Sequence, residues 1–263
     1  MPTHKQLNSG LLRSDSGHDV SAGGISRRQF MLSFGAVAVG GFAQPSFGNK
    51  TLTLENRFVK YVIGSDGRNL TFTGKQMGID YIEGCPRSAC AQVKKNGRVY
   101  DASAVSYADG RMTVKFGRSR ISAVIKVEIQ SHYFVFEVES IAGAADELVF
   151  VNLPTTLQVK ADELFSAGTL ALNLQTNVEE LPGPQQHLWA ACYRRFGFIG
   201  SQAGLIACPY ADMREALKVM VGAAPGMPHS PLGGPWAMDS NLPYGSYLFG
   251  APTEKTVDSW IEL

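Results

Sequence analysis

The chain is predicted to be all-β, a large antiparallel sandwich of two sheets, and three observations predict it. Over residues 51–151 apolar and polar residues alternate in short runs, the period-two pattern of half-buried strands. The runs are cut by Gly64-Ser65-Asp66-Gly67, Asn96-Gly97 and Asp109-Gly110, whose residues tolerate the positive φ of hairpin turns. Several strands are apolar on both faces, Phe134-Val135-Phe136 above all, which suits strands packed between two layers.

The elements follow in order. Phe58, Lys60 and Val62 face one way along the first run and Val59, Tyr61 and Ile63 the other. A strand over 70–73 comes after the glycine turn, and 74–80 turns again. Further strands are expected over 91–94, 99–107, 112–116, 121–129, 133–141, 148–153, 169–174, 188–193, 196–199 and 205–208, with Ser201-Gln202-Ala203-Gly204 turning the last hairpin. More than ten strands point to a sandwich larger than an immunoglobulin-type module. A short helix is predicted over 211–221, where Met213, Ala216, Leu217 and Met220 fall at helical spacing before Gly222 and Pro225. Residues 225–252 read as an ordered Pro/Gly/aromatic connector. A second helix starts at Thr253, with Val257, Trp260 and Ile261 on one stripe. It stops with that stripe unburied, so 253–263 is expected to be the first helix of a further domain.

Ahead of the strands, Ser26-Arg27-Arg28-Gln29-Phe30-Met31 opens an uncharged stretch over 32–42. The pair Arg27, Arg28 before a moderately apolar run reads as a twin-arginine signal, engaging the twin-arginine export machinery. The run is shorter than the ~20 residues a spanning helix needs. Gly41-Phe42-Ala43 offers a small-x-small cleavage site, making 1–43 a signal peptide with a disordered polar extension. The expected destination is the periplasm or the extracellular space.

Removing 1–43 from the 263 residues takes away four basic and two acidic side chains, leaving 20 basic and 21 acidic, a formal charge of −1. Nothing in that balance recruits nucleic acid by field alone. Cys85, Cys90, Cys192 and Cys208 would be permitted to bridge in an exported chain, Cys85 to Cys90 and Cys192 to Cys208 being the local pairing. Export in the folded state favours buried free thiols instead, and both readings stand. The Cys-x4-Cys and Cys-x15-Cys spacings lack histidines at ligand distance, so no metal and no cofactor is expected.

Asn56-Arg57-Phe58-Val59-Lys60-Tyr61-Val62-Ile63, then Asp66-Gly67-Arg68-Asn69, then Gly78-Ile79-Asp80-Tyr81 resemble the opening of the galactose-mutarotase-like β-supersandwich that precedes the catalytic barrel of many glycoside hydrolases. The connector from Pro225-Gly226-Met227-Pro228-His229 to Gly234-Pro235-Trp236, followed by Ser246-Tyr247-Leu248-Phe249, is similar to the passage into a (β/α)8 barrel. The resemblance spans 51–263. It implies a carbohydrate partner, a supersandwich over 51–224, and catalytic carboxylates on the strands of a C-terminal barrel in cis beyond these residues. This chain would then be the non-catalytic N-terminal part of a glycoside-hydrolase-like protein. Whether it is itself an enzyme is left open.

Candidate contacts come from several places. Trp236, Asp239, Asn241, Tyr244 and Tyr247 form either a sugar-contacting edge or interdomain packing. Glu179 and Glu180 precede Pro182-Gly183-Pro184. Asn173, Gln175 and Asn177 alternate, which puts three amides on one face of a strand, as a carbohydrate groove, a solvated sandwich face or a buried polar ladder. Arg194-Arg195 suits a uronate or sulfate, or is a solvated pair at a strand end. His132 heads a strand that carries Glu137 and Glu139, the residue types of a mutarotase acid–base pair; strand parity places them on opposite faces. A free-standing sugar isomerase and a ligand-free structural envelope protein are the rival functions.

Overall fold

The computed structural model describes residues 46–48, 51–158, 164–178, 187–224, 229–230 and 234–235. The chain opens with an antiparallel meander, β1 (Ser46–Gly48), β2 (Thr51–Glu55), β3 (Val59–Gly64), β4 (Asn69–Gly74) and β5 (Ile79–Asp80), paired in sequence order as the first sheet. There follow β6 (Gln92–Lys95), β7 (Arg98–Asp101), β8 (Ala104–Ala108), β9 (Arg111–Lys115), β10 (Ser122–Ile129), β11 (Tyr133–Ala142) and β12 (Glu147–Pro154). The later strands are β13 (Phe165–Ala171), β14 (Thr176–Val178), β15 (His187–Tyr193) and β16 (Gln202–Pro209), ahead of helix α1 (Tyr210–Gly222). A second sheet has the order β13-β16-β11-β10-β9-β8, and a third the order β14-β15-β12-β6-β7. Inside the expected connector, β17 (His229–Ser230) and β18 (Gly234–Pro235) form a two-strand ladder.

The protein is all-β and antiparallel, as its period-two pattern requires, with three main sheets among the described residues where the sequence predicts two. One buried apolar cluster draws on all three: Leu54 and Phe72 from the first, Met112 and Phe134 from the second, Phe150 and Leu188 from the third. The alternation along β3 is the predicted one, with Val59, Tyr61 and Ile63 buried and Lys60 exposed. In β12 a bulge between Val149 and Val151 breaks strict alternation, so Leu148, Phe150, Val151 and Leu153 all reach the core. Asn96 (φ 49°) with Gly97 (φ 76°), and Asp109 (φ 50°) with Gly110 (φ 78°), take the left-handed conformations of two-residue hairpins.

Three expected strands are redrawn. The run over 99–107 is two strands, β7 in the third sheet and β8 in the second. Buried parity changes there, from even at Ala102 to odd at Val105, and that change marks the crossover. The strand expected over 169–174 is β13, which ends at Ala171; residues 172–175 bend. Residues 196–199 are no strand. A 3-10 turn over Arg194–Phe196 and two left-handed glycines, Gly197 and Gly200, carry the chain from β15 in one sheet to β16 in another. The turn expected over 201–204 therefore lies upstream, and no hairpin joins β15 to β16.

Helix α1 extends one residue beyond its predicted bounds at each end. It buries Ala216 and Met220 in a second apolar cluster with Phe58, Leu172, Ile206 and Cys208, on the outer face of the second sheet. Gly204 in β16 lies against the Met220 side chain with no room for a Cβ, so the helix docks closely on this strand. The signal segment with Arg27 and Arg28 and the helix over 253–263 fall outside the described residues.

Candidate functional site: a cationic cleft

The β6–β7 hairpin is the starting point. Val93 pairs with Tyr100 and Lys95 with Arg98, so these four side chains share one face. Val93 is fully buried and Tyr100 packs against the core. One register further out the same face has passed the edge of the core, and there it carries Lys95 and Arg98. Opposite them runs the short turn Gly117–Ser119. Between hairpin and turn lies an open cleft of about 560 Å³ lined by Lys95, Asn96, Arg98, Tyr100, Arg118, Ser119 and Arg120.

The turn is locked from beneath. Phe116 is fully buried, and the Ser119 hydroxyl donates to the Phe116 carbonyl (2.6 Å) while accepting from the Ile121 N–H (3.0 Å). The Gly117 N–H donates to Ser103 Oγ (2.8 Å). Lys95 Nζ donates across the cleft to the Ser119 carbonyl (3.3 Å), joining the two walls. Arg120 stands in the left-handed region at φ 60°, ψ 28°, unusual for a side chain with a Cβ. Among the described residues no carboxylate pairs with Arg98, Arg118 or Arg120. The adjoining acids are engaged elsewhere: Asp101 with Gln92 (2.9 Å) and Arg68 (3.8 Å), Asp146 with the Asn96 N–H (2.6 Å) and Arg194 (3.1 Å).

This cleft is not among the candidates read from sequence. Lys94-Lys95-Asn96-Gly97-Arg98 and Gly117-Arg118-Ser119-Arg120 are the available signal, two basic turns far enough apart in the chain to look like separate solvated loops.

The sequence-derived candidates are placed differently. Asn173, Gln175 and Asn177 do not form a row on a strand. Asn173 holds a turn, its Oδ1 accepting from Thr176 Oγ1 (3.0 Å) and the Gln175 N–H (3.3 Å), its Nδ2 donating to the Gly200 carbonyl (2.6 Å). Gln175 Nε2 donates to the Phe196 carbonyl (3.1 Å), and Asn177 Nδ2 to the Tyr193 hydroxyl (3.2 Å). The three amides thus fasten the 193–200 crossover, each donating one hydrogen bond to it. Arg194 donates to the Ala145 carbonyl (2.7 Å) and pairs with Asp146, and Arg195 stacks on Phe196. His132 lies in the β10–β11 turn and not on a strand; it contacts Ser131 Oγ and packs on the Phe58 ring at 5.3 Å. Glu139 is gripped bidentately by Arg111 (2.7 and 3.0 Å), and Glu137 faces Lys126 at 3.9 Å. Trp236, Asp239, Asn241, Tyr244, Tyr247, Glu179 and Glu180 lie outside the described residues.

A second, smaller cleft of about 210 Å³ is lined by Asn69, Ile82, Cys85, Arg87 and Ser88 among others. All four cysteines are free, with Cys192 in the third sheet and Cys208 in the second. Burial pushes the thiols of Cys90, Cys192 and Cys208 up to about 12, and burial with Asp80 nearby raises Cys85 more modestly. A raised thiol is protonated at neutral pH and a poor nucleophile. In a thiol-disulfide exchange assay on the native protein at pH 8, Cys85 is expected to react slowly and the other three only after denaturation. Release of more than one thiol before unfolding would contradict these burials.

Fold and cleft together define an antiparallel β-sandwich that presents an open cationic cleft beside one hairpin. No protein-family model matches this chain, and no curated protein matches it.

Proposed function

We propose that this chain is a carbohydrate-associated β-sandwich domain of galactose-mutarotase-like type. It serves an exported glycoside-hydrolase-like protein as a non-catalytic binding element. The observation that carries this reading is the cleft between the β6–β7 hairpin and the 117–120 turn. Its 560 Å³ falls within the range of ligand sites, and its lining is polar with one aromatic flank, the chemistry that hydroxyl-rich rings require. The stretches that resemble the supersandwich opening fall on β3, the following turn up to the first residue of β4, and β5, an antiparallel meander in keeping with the same reading. Export rests on the twin-arginine segment.

The full chain is tested by affinity electrophoresis against neutral and acidic polysaccharides, with polarimetry on free aldoses. Retardation by at least one polysaccharide, without anomer interconversion, is the expected result. Absence of retardation by every polysaccharide would leave the carbohydrate reading without support and favour a structural envelope role. Interconversion abolished in His132→Ala would establish the isomerase instead.

A further inference from the structure

We infer that the cationic cleft is a subsite for an anionic polysaccharide, one whose sugars bear sulfate or carboxylate groups. The inference rests on the carbohydrate reading and adds the charge class of the ligand. Four cations, Lys95, Arg98, Arg118 and Arg120, line one cleft, and none of the four has a carboxylate partner among the described residues. Like charges gathered in this way repel one another, so an anion placed between them is favoured by each. Guanidinium groups present planar forks of donors that match the paired oxygens of sulfate and carboxylate. The cleft is open to solvent, so a sugar residue of a longer chain can reach its cations without the rest of the polymer being enclosed. Tyr100, half-buried in its lining, offers an apolar edge to a sugar ring between its charged substituents.

The turn supplies an independent observation. An arginine held at positive φ is strained relative to glycine, and such strain persists only where the surroundings over-determine it. Here the Ser119 hydroxyl bonds and the buried Phe116 fix the backbone on which Arg118 and Arg120 are carried. Arg120→Gly would relieve the strain and remove the charge, so a variant that folds better is expected to bind worse.

A nucleic acid or polyphosphate is the competing polyanion. The whole chain carries a formal charge of only +1, so no extended field gathers such polymers and recognition rests on the single cleft.

The test measures binding of the full chain to dextran, dextran sulfate, polygalacturonate and inorganic polyphosphate by isothermal titration at fixed ionic strength. Dextran sulfate or polygalacturonate is expected to bind at least tenfold more tightly than both dextran and polyphosphate. Arg118→Ala and Arg120→Gly are each expected to weaken that binding about tenfold, the size of one charge-assisted hydrogen bond. Arg120→Gly should do so with an unchanged or raised melting temperature, which separates lost contact from lost fold. Equal binding of dextran and its sulfate, or binding indifferent to both variants, overturns the inference while leaving the carbohydrate reading intact. Polyphosphate binding as tightly as the acidic polysaccharides overturns it as well, since the cleft would then read charge alone. If none of the saccharides binds, both the inference and the reading beneath it fail.

Discussion

Gly67→Ala is expected to destabilise the protein by about 2–5 kcal/mol, combining roughly 1–2 for a side chain at left-handed φ with about 1–3 for overpacking. Gly67 has φ 80°, and a Cβ there would lie 2.8 Å from Ala102 Cβ and 2.9 and 3.0 Å from the Ala102 carbonyl carbon and oxygen. These atoms are backbone or bonded directly to it, so no rotamer change makes room. The position is also a junction. The Gly67 N–H closes the β3–β4 turn onto the Gly64 carbonyl, and its own carbonyl accepts from Cys90 N–H (2.8 Å). Ala102 belongs to the crossover between β7 and β8, and the N–H of Val105, the second residue of β8, donates to the Ser65 carbonyl (2.8 Å). One methyl group therefore presses the first sheet away from the link between the other two. Thermal melts give the readout, a fall of roughly 5–15 °C for a domain of this size. Gly97→Ala is the control. Its φ is 76° with nothing within 4 Å of the added Cβ, so only the conformational part, about 1–2 kcal/mol, remains. Equal losses at the two positions would show that the close approach to Ala102 contributes nothing.

The same residues show what sequence makes legible. Period-two burial in β3, the left-handed hairpin turns and helix α1 depend on neighbours within a few positions, and pattern alone gives them. Sheet membership depends on partners far apart in the chain. The pairing of β12 with β6, or of β16 with both β11 and β13, leaves no local mark, and the pattern predicts two sheets where the described residues form three main ones. Local marks do exist for two misreadings. The parity change between Ala102 and Val105 announces a strand break inside an apolar run. Alternating amides at Asn173, Gln175 and Asn177 imitate a strand face, yet Asn is also the residue whose side chain replaces a backbone bond in a turn, and that use prevails. The cleft is hidden for a subtler reason. Lys95 and Arg98 share the face of buried Val93 and half-buried Tyr100, and charge on a core-directed face is the informative pattern. Only the turn over 117–120, brought alongside by the fold, makes that charge part of a lined cleft.

Asn69→Ala is expected to cost about 2–4 kcal/mol, because it orphans buried polar groups in two sheets at once. Asn69 begins β4 and is buried. Its Oδ1 accepts from the Tyr61 hydroxyl, and its Nδ2 donates to Ser88 Oγ (2.7 Å) and to the Asn152 carbonyl in β12 (2.9 Å). Asn152 continues the network, donating from Nδ2 to the Ala89 carbonyl (2.7 Å), with Oδ1 against His187 Nε2 of β15 (2.7 Å). This chain of amides ties the first sheet to the third where each presents groups that water cannot reach. Removing the Asn69 amide leaves the Tyr61 hydroxyl, in a site so dry that burial raises its pKa well above the ordinary phenol value, without an acceptor. Tyr61→Phe removes that hydroxyl and leaves one lone Oδ1, an expected loss near 1 kcal/mol. In the Tyr61→Phe background the Asn69→Ala loss should shrink by about 1 kcal/mol or more, since no buried donor is then stranded. Urea denaturation of the two single variants and the double variant completes the cycle. Strict additivity would mean that the Tyr61 hydroxyl and the Asn69 amide do not depend on one another.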